Sequence, residues 1–436
     1  MTYKTNQQEN TYEYLPANHL NLHIDSEDAH ITHSIDELSK DIGLRRIEAR
    51  TSLKVILLSL FWSDTGRLIT PRNKEPFGPM RYNPHKIGPA SFITALDKLV
   101  EHKYVIQTLG FKDVINNASA KTTIVATPKL TEYLHNNKWS HQDGCIYKST
   151  PELVLLRDNS KKKKLIDYKD SRSSNWLRNE LTKYNNLLNN SEILLVKYNS
   201  TGEEDIVKEY HSLALARKFI QHNPRGSDYD VELSYGGRMY APWCNLNSEQ
   251  RKMITINGEK TVELDLQASS INVIYIAKTG VRYPGGDPYN VSVGDKLITR
   301  HIVKQAATIM LNTKNIQGAV AALEEYYLPN VFNDKRSKKN LKKASEYELM
   351  KLTVKPSEVM KAFLEKHKTI ENSFLKGKRM GDLVACQESD RVFEIVRRFT
   401  KNNVPILTVY DSFIVQEQYK GNLQRWMDTL LPLMYK

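Results

Sequence analysis

Two apolar, β-branched runs in the sequence each end in a single aspartate. The first, KMITINGEKTVELDLQ, places two β-rich segments around Asn257-Gly258, the dipeptide that best suits a tight hairpin turn. Asp265 is therefore predicted to end the second strand of a hairpin. The second run, PILTVYDSFIVQ, indicates a strand, a tight turn and a strand, with Asp411 and Ser412 at the turn. An acid at such a strand end faces solvent or a cleft, not the core.

Two carboxylates on adjacent strand ends have a specific chemical use. They can share a pair of divalent cations about 3.5 to 4 Å apart, and hard oxygen ligands favour Mg²⁺ or Mn²⁺. An aspartate at a strand end is also an ordinary turn or capping residue. The two acids alone leave both interpretations open, and the segment between them decides.

That segment contains RHIVKQAATIMLNT, which has helical periodicity. Arg300 and Lys304 lie one helical turn apart on one face, and Asn312 lies two turns beyond Lys304 on the same side. Such a stripe can hold a triphosphate at its basic end and a sugar or base further along. The alternative is an ordinary solvated basic face.

The N-terminal part has a different pattern. Helical spacing predicts helices over 49–63 and 90–102, followed by the strands YVIQTLGF and TTIVAT around the polar turn NNASAK, and Pro128 starts another short helix. Helices followed by a two-stranded hairpin resemble a winged helix, here over residues 21–145. Such domains contact DNA or other proteins.

The remaining boundaries follow from composition. Residues 1–20 are polar and predicted to be flexible. Residues 146–175, with SKKKKLIDYKDSRSS, are basic without periodicity and are predicted to form a linker, whose lysines are either a contact for phosphates or a solvated run. A further domain is expected over 176–436.

Charge and cysteine content narrow the class of protein. The 436 residues carry a formal net charge of +13, which favours a polyanionic partner such as nucleic acid. The three cysteines lack the spacing of a disulfide framework or a zinc site. No apolar run reaches the length of a membrane span and the start lacks a signal-peptide core, so we expect a cytoplasmic protein without membrane contact.

Taken in order, the motifs resemble the palm and fingers of the family A DNA polymerases and of the phage and mitochondrial single-subunit RNA polymerases. ELDLQASS resembles their first palm motif, RHIVKQAATIMLN their fingers helix, and TVYDSF their second palm motif. SYGGRMY, with Arg238, resembles the Gly-Arg motif before the palm, and LVACQESDRVFEIV, with Gln387, resembles the Gln-containing helix before the last carboxylate. The resemblance covers roughly residues 180–436 and is closest to short polymerase-like proteins of phages and mobile elements.

The resemblance implies an α+β chain in which the winged-helix-like domain precedes a compact right-hand polymerase core, with an antiparallel palm sheet, helical fingers and a reduced thumb. It implies that Asp265 and Asp411 bind the catalytic metals and that Arg300 and Lys304 bind the triphosphate. Two polar residues would lie beside the sugar and base: Asn312 and Ser270. Four residues would contact the template and primer: Arg238, Gln387, Tyr410 and Ser412.

Three positions depart from the family pattern. Tyr410 stands where the family usually has His, and Asn312 replaces a Tyr or Phe. Ser270 stands where the DNA polymerases usually carry a Glu whose bulk collides with a ribose 2′-hydroxyl. Because Ser270 is small and can bond a hydroxyl, and Asn312 can offer a comparable polar contact, we expect an RNA polymerase or primase rather than a DNA polymerase.

The predicted reaction is template-directed nucleotidyl transfer from nucleoside triphosphates, on a DNA template, with an RNA or DNA product. Two alternatives belong to other classes. One is a DNA-binding replication initiator whose polymerase-like half is inactive, and the presence of both palm aspartates argues against it. The other is a two-metal nuclease, which has no use for a triphosphate-binding helix.

Overall fold

The structure is a computed structural model, and it divides into two compact units. The first contains residues 1–152 and 165–167, and the second contains residues 153–164 and 168–436. The expected flexible N-terminus, 1–20, falls outside the described residues except at its last three positions. The structure describes the following ranges: 18–63, 65–72, 77–113, 118–140, 147–148, 151–198, 204–210, 213–222, 233–328 and 338–433.

The described part of the first unit combines short strands with helices. Its strands are β1 (Asn18–His19), β2 (Ile24–Asp25), β3 (Arg67–Ile69), β4 (Val105–Thr108), β5 (Phe111–Asp113), β6 (Ala118–Ala120), β7 (Thr123–Ala126) and β8 (Tyr147–Lys148). Its helices are α1 (Ala29–Asp41), α2 (Ile47–Phe61), α3 (Pro89–Glu101) and α4 (Pro128–Asn136). One sheet has the order β1-β3-β7-β4, β5 pairs with β6, and β2 pairs with β8.

Helix α2 is the centre of this unit, because its KVILLSLF run is apolar on nearly every side and buried from Val55 to Leu60. The helices and the strand TTIVAT occur within about two residues of their predicted bounds. The predicted strand YVIQTLGF is too long, because β4 ends at Thr108 and Phe111 begins β5, and the end of the expected turn NNASAK forms β6. Pro128 occupies the first turn of α4, and the Thr127 side chain caps that helix, as helix-start chemistry requires. Part of the expected turn NNASAK lies outside the described residues.

The second unit contains two larger sheets and several helices. Its strands are β9 (Val154–Asp158), β10 (Ile193–Tyr198), β11 (Glu204–Glu209), β12 (Arg217–Gln221), β13 (Gly236–Met239), β14 (Ile254–Ile256), β15 (Glu259–Asp265), β16 (Ser292–Val293), β17 (Lys296–Leu297), β18 (Leu407–Val409) and β19 (Ser412–Gln416). Its helices are α5 (Arg172–Asn189), α6 (Ser248–Arg251), α7 (Ser269–Thr279), α8 (Arg300–Met310), α9 (Ile316–Tyr327), α10 (Lys338–Lys351), α11 (Pro356–Lys366), α12 (Lys378–Lys401) and α13 (Lys420–Leu433).

The main sheet of the second unit has the order β11-β10-β14-β15-β19-β18 and is antiparallel throughout. A smaller sheet has the order β13-β12-β9. A separate apolar cluster, here called the helical layer, is formed by buried side chains of α7 to α11 and the start of α12. Both units mix helices and sheets, which confirms the expected α+β class at that level.

The segment 146–175, expected to be a linker, contains regular structure. Strand β9 pairs in parallel with β12, and α5 begins at Arg172. The four lysines follow β9 in a turn that Asp158 holds closed, since its Oδ1 accepts hydrogen bonds from the Ser160 hydroxyl (2.7 Å) and the Lys164 amide (2.9 Å). The short apolar run LVLL supplies buried positions to a sheet, which charge composition alone does not reveal.

None of the helices within the described ranges combines enough length with enough apolar character to cross a membrane.

Candidate active site

The two aspartates are brought together by the register of the main sheet. Asp265, the last residue of β15, pairs directly with Ser412, the first residue of β19. Asp411 precedes Ser412 in a two-residue turn from β18, and its carbonyl oxygen accepts a hydrogen bond from the Leu266 amide at 3.1 Å. The two carboxylates therefore project from adjacent strand ends. The β14–β15 hairpin turns at Asn257-Gly258 as predicted, with both residues at positive φ.

The backbone beside both acids takes up an unusual conformation. Tyr410 has φ of +58°, and Ala268, which precedes α7, has φ of +47°. Side chains with a Cβ adopt this left-handed region only at a cost of about 1 to 2 kcal/mol each. The surroundings enforce it near Tyr410, since the buried Trp243 indole N–H donates to the Thr408 carbonyl at 3.0 Å. Strain of this kind is concentrated at functional sites.

Like charge accumulates around the two acids. Burial, followed by the negative charges of Glu388 and Asp265, raises the pKa of Asp411 to about 6. Burial also raises the pKa of Asp265, against the opposing effects of the Ser412 hydroxyl and the Lys304 ammonium. Ser412 donates its hydrogen bond to Asp265 Oδ1 at 3.2 Å. Carboxylates whose pKa values are raised by burial and by neighbouring acids are candidates for cation binding.

The acids open into a polar cleft of about 660 Å³. It is lined by residues of α6, β15, α8 and the β18–β19 turn: Ser248, Arg251, Lys252, Thr261, Val262, Glu263, Asp265, Lys304, Asp411 and Ser412. Glu263 is already paired, because Arg251 donates to both of its oxygens at 2.9 Å. Asp265, Asp411 and Lys304 have no such partner among the described residues, so they are the charged groups available to a ligand.

The two aspartates suit a cation whose other ligands are water and substrate oxygens. In the described part of the chain, no three or more His, Cys, Asp or Glu side chains are grouped closely enough to hold a metal ion. Two aspartates with room for water and substrate oxygens suit Mg²⁺ or Mn²⁺, since Mg²⁺ usually keeps several waters and binds through one or two carboxylates. A zinc site does not fit this chemistry.

Helix α8 carries the predicted basic stripe into this region. Lys304 lines the cleft, and Arg300, one turn earlier, forms an ion pair with Asp287 at 2.6 Å while its guanidinium lies 5.2 Å from the centre of the Tyr289 ring. Both basic residues are exposed. The stripe predicted from the sequence is therefore present for its first two members.

Asn312 lies two residues beyond the end of this helix. Helix α8 ends at Met310, and the Asn312 side-chain amide donates back to the Thr308 carbonyl at 2.9 Å. The end of the helix is bonded to the chain before α12, where the Leu375 amide donates to the Met310 carbonyl at 2.8 Å. Asn312 also packs against Gly381 of α12, where a methyl group would overlap its amide. Its predicted place beside the sugar and base stays a prediction.

Sequence reasoning missed Glu388. This α12 residue is 4% exposed, accepts a hydrogen bond from Arg238 at 2.6 Å and another from the Ser270 hydroxyl at 3.2 Å. Its charge also acts on Asp265 and Asp411. A signal was available, because Glu388 falls in the apolar stripe of α12 that contains Val384 and other buried residues.

Arg238 is held against α12 by its local backbone. Gly236 and Gly237 have φ of +79° and +73° and form an irregular pair with β12, and a methyl group at Gly237 would lie 2.7 Å from the Arg217 guanidinium. The Gly237 carbonyl accepts from Arg217 (2.7 Å) and from the Ser389 hydroxyl (2.5 Å). The Gly-Gly-Arg sequence is thus required for a close strand–helix approach that directs Arg238 to Glu388.

The two remaining predicted contacts lie at different places. Tyr410 is 43% exposed and meets the exposed Tyr240 edge-on, with ring centres 6.0 Å apart, while the Lys218 ammonium lies 4.4 Å from the centre of the Tyr240 ring. Gln387 is half-buried on α12, next to Glu388 but about 100° around the helix from it. One region is thus surrounded by six of the predicted residues and bordered by Tyr410. The six are Arg238, Asp265, Ser270, Lys304, Asp411 and Ser412.

In comparisons with known proteins, no family model, no curated protein and no solved structure matches the chain.

Proposed function

We propose that this chain is a template-directed nucleotidyltransferase that works with two divalent cations. The observation that carries the proposal is the pairing of β15 with β19, which places the carboxylates of Asp265 and Asp411 side by side. Within the described residues neither acid forms an ion pair with Lys or Arg, and each has a raised pKa. A pair of cations supplies the charge that this arrangement lacks.

The residues of α8 suit the phosphates of a nucleoside triphosphate. Lys304 lines the same cleft as the two acids, so a triphosphate bound by its ammonium would lie beside the carboxylates that would hold the cations. Arg300 reaches the same ligand by exchanging its exposed ion pair with Asp287, which is worth about 1 kcal/mol or less. Mg²⁺ or Mn²⁺, when bound, supplies activation of the attacking 3′-hydroxyl and neutralises the leaving pyrophosphate.

Three features of the surrounding fold support the proposal. An antiparallel sheet in which β15 lies next to the β18–β19 hairpin suits a palm, and the helical layer with α8 suits fingers. The first unit suits a winged helix that contacts nucleic acid. It contains helices α1 to α3, a sheet with the order β3-β7-β4, and the β5–β6 hairpin between β4 and β7. These assignments, including a reduced thumb, belong to the proposal.

The partners follow from the same site. The exposed rings of Tyr240 and Tyr410 offer stacking faces beside the acids, and Lys218 adds positive charge there, which suits the end of a nucleic-acid strand. Arg238 and Gln387 on the neighbouring elements are proposed to contact the template and primer. Because Ser270 is small, the proposed enzyme is an RNA polymerase or primase on a DNA template, in the cytoplasm, rather than a DNA polymerase.

One incubation tests the reaction class. Purified protein is mixed with Mn²⁺ or Mg²⁺, an end-labelled primer on a DNA template, and each ribonucleotide or deoxyribonucleotide in turn. We expect the label to lengthen with ribonucleotides complementary to the template. Shortening of the label without nucleotides would show a nuclease, and binding without any change in length would show an inactive initiator.

A second arm omits the primer and offers labelled ribonucleotides with single-stranded DNA. A labelled product in this arm would identify a primase, while extension in the first arm alone would identify a primer-dependent polymerase. Extension of the primer with deoxyribonucleotides alone would identify a DNA polymerase. The Asp265→Asn variant serves as the control for contaminating polymerases in both arms, because it retains every other proposed contact.

A further inference from the structure

Glu388 is a buried carboxylate with both oxygens engaged. Oε2 accepts from the Arg238 guanidinium at 2.6 Å, and Oε1 accepts from the Ser270 hydroxyl at 3.2 Å. The side chain is 4% exposed, so water does not replace either partner freely. Buried charges persist only when paired and hydrogen-bonded in this way.

This arrangement fixes the direction of the hydrogen bond at Ser270. An ionised carboxylate accepts hydrogen bonds and cannot donate one, so the only proton of the Ser270 hydroxyl is committed to Glu388. What Ser270 Oγ can offer to a ligand is a lone pair. Ser270 is half-buried in the first turn of α7, five residues after Asp265.

We infer that Glu388 is the positioning residue that makes Ser270 a hydrogen-bond acceptor for a donor group on the sugar of the incoming nucleotide. This rests on the proposed function. The substrate class is then a nucleoside triphosphate with a donor at the 2′ position, as in ribose. A sugar without such a donor leaves the Ser270 lone pair unpaired in a half-buried position, which disfavours it.

The placement of Glu388 supports this role over a purely structural one. Its negative charge, after burial, helps raise the pKa of Asp411, so it borders the proposed site of the α-phosphate. The sugar of a nucleotide is bonded to its α-phosphate, so the sugar would also lie close to Glu388. The Ser270 hydroxyl bonds Glu388 directly. Ser270 also lies in the first turn of α7, the helix that follows the strand bearing Asp265.

Asn312 contacts α12 at a different point. It packs on Gly381, which is seven residues before Glu388 on the same face of α12, or about 10 Å along the helix axis. The Ser270 hydroxyl is the one that bonds Glu388, so the inference concerns Ser270.

Replacement of Glu388 by Gln should reverse the hydrogen-bond direction with almost no change in shape. Arg238 can only donate, so the Gln carbonyl oxygen turns to Arg238 and the amide NH₂ turns to Ser270. Ser270 must then accept from the amide, and its own O–H points towards the ligand. The variant offers a donor where the wild type offers an acceptor, and a sugar no longer needs a 2′ donor.

The test compares ribonucleotides with 2′-fluoro-2′-deoxynucleotides in primer extension, measured as kcat/KM. Fluorine has a size and sugar pucker similar to those of the ribose 2′-hydroxyl but cannot donate. We expect the wild type to favour the ribonucleotide by about tenfold, and Glu388→Gln to use both within about threefold. This ratio is taken within one protein, so partial unfolding of a variant does not change it.

Two further variants make the result specific. Ser270→Ala keeps the Glu388–Arg238 ion pair but removes the acceptor, so it should also lower the ratio to within about threefold. Glu394→Gln makes the same chemical change six residues further along α12, where Glu394 pairs with Arg397 and Arg398. This variant should keep the wild-type ratio.

The outcomes separate this inference from the proposed function. If the wild type extends primers but uses both sugars equally, or if Glu388→Gln keeps the wild-type ratio, Glu388 does not set the sugar preference and the polymerase proposal stands. If no nucleotide of any kind is incorporated by the wild type, the proposed function fails and this inference fails with it.

Discussion

Asp411→Asn should make the protein more stable while it abolishes catalysis. Burial and the nearby acids raise the pKa of Asp411 from its ordinary value of 3.8 to about 6. That difference corresponds to about 3 kcal/mol, and solvent screening at the open cleft reduces it to about 1 to 2 kcal/mol. At pH 7 the ionised carboxylate therefore destabilises the fold, and Asn, which has the same shape without the charge, removes the penalty.

The raised pKa of Asp411 determines how the stability gained by Asp411→Asn changes with pH. The folded protein binds the Asp411 proton more tightly than the unfolded chain does, so unfolding releases a proton between about pH 4 and pH 6. Wild-type stability should fall through this interval because of Asp411, and the deficit should persist above it. The advantage of Asp411→Asn is therefore absent near pH 4 and complete at pH 7, where it should raise Tm by about 2 to 6 °C.

The assay is thermal unfolding without divalent cations at pH 4.5 and pH 7.5, alongside primer extension with Mn²⁺. Incorporation should fall by about a thousandfold or more, equivalent to about 4 kcal/mol of barrier. Asp390→Asn is the contrasting variant, because Asp390 pairs with the buried Arg217 at 2.7 Å and its loss should lower Tm. An Asp411→Asn variant that is less stable at pH 7.5, or equally stabilised at both pH values, would refute this reasoning.

Three other predictions concern the same unit. Affinity for Mn²⁺, measured by calorimetry, should weaken by about tenfold between pH 7 and pH 5 as Asp411 becomes protonated, and a flat profile would contradict the raised pKa. Gly237→Ala should cost about 1 to 3 kcal/mol of unfolding free energy more than Gly258→Ala, since both have positive φ but only Gly237 is crowded. Trp243→Phe should lower the unfolding free energy by about 1 to 3 kcal/mol by leaving the buried Thr408 carbonyl without its indole donor, and an unchanged Tm would show that water replaces it.

The sequence was sufficient where local chemistry decides the structure. Asn257-Gly258 requires a hairpin whatever surrounds it, and Gly280, in the left-handed conformation, ends α7 as predicted. The pairing of β15 with β19, which brings Asp265 beside Ser412, joins segments 147 residues apart and does not follow from either hairpin. Local chemistry therefore specifies each strand end, and the long-range pairing brings the two acids together.

Other features depend on contacts between segments far apart in the sequence. Helical periodicity continues past Met310, but the chain before α12 is bonded to the end of α8, which ends two residues before Asn312. The apolar stripe of α12 indicates that Glu388 is buried, but its partners Arg238 and Ser270 lie 150 and 118 residues earlier, so no local pattern shows what it contacts. The apolar run in β9 was likewise hidden by the lysines that follow it.

Helix α12 restricts how the length of this chain can change during evolution. Within its 24 residues, Gly381 contacts Asn312 and Glu388 bonds Ser270, and both positions lie on one face of the helix. Inserting one residue between these two points turns everything after it by about 100°, and inserting seven restores the angle but adds about 10 Å. Neither change keeps both contacts, so homologues that retain them must have the same number of residues between these two positions, whereas the surface hairpin β5–β6 is free to vary in length.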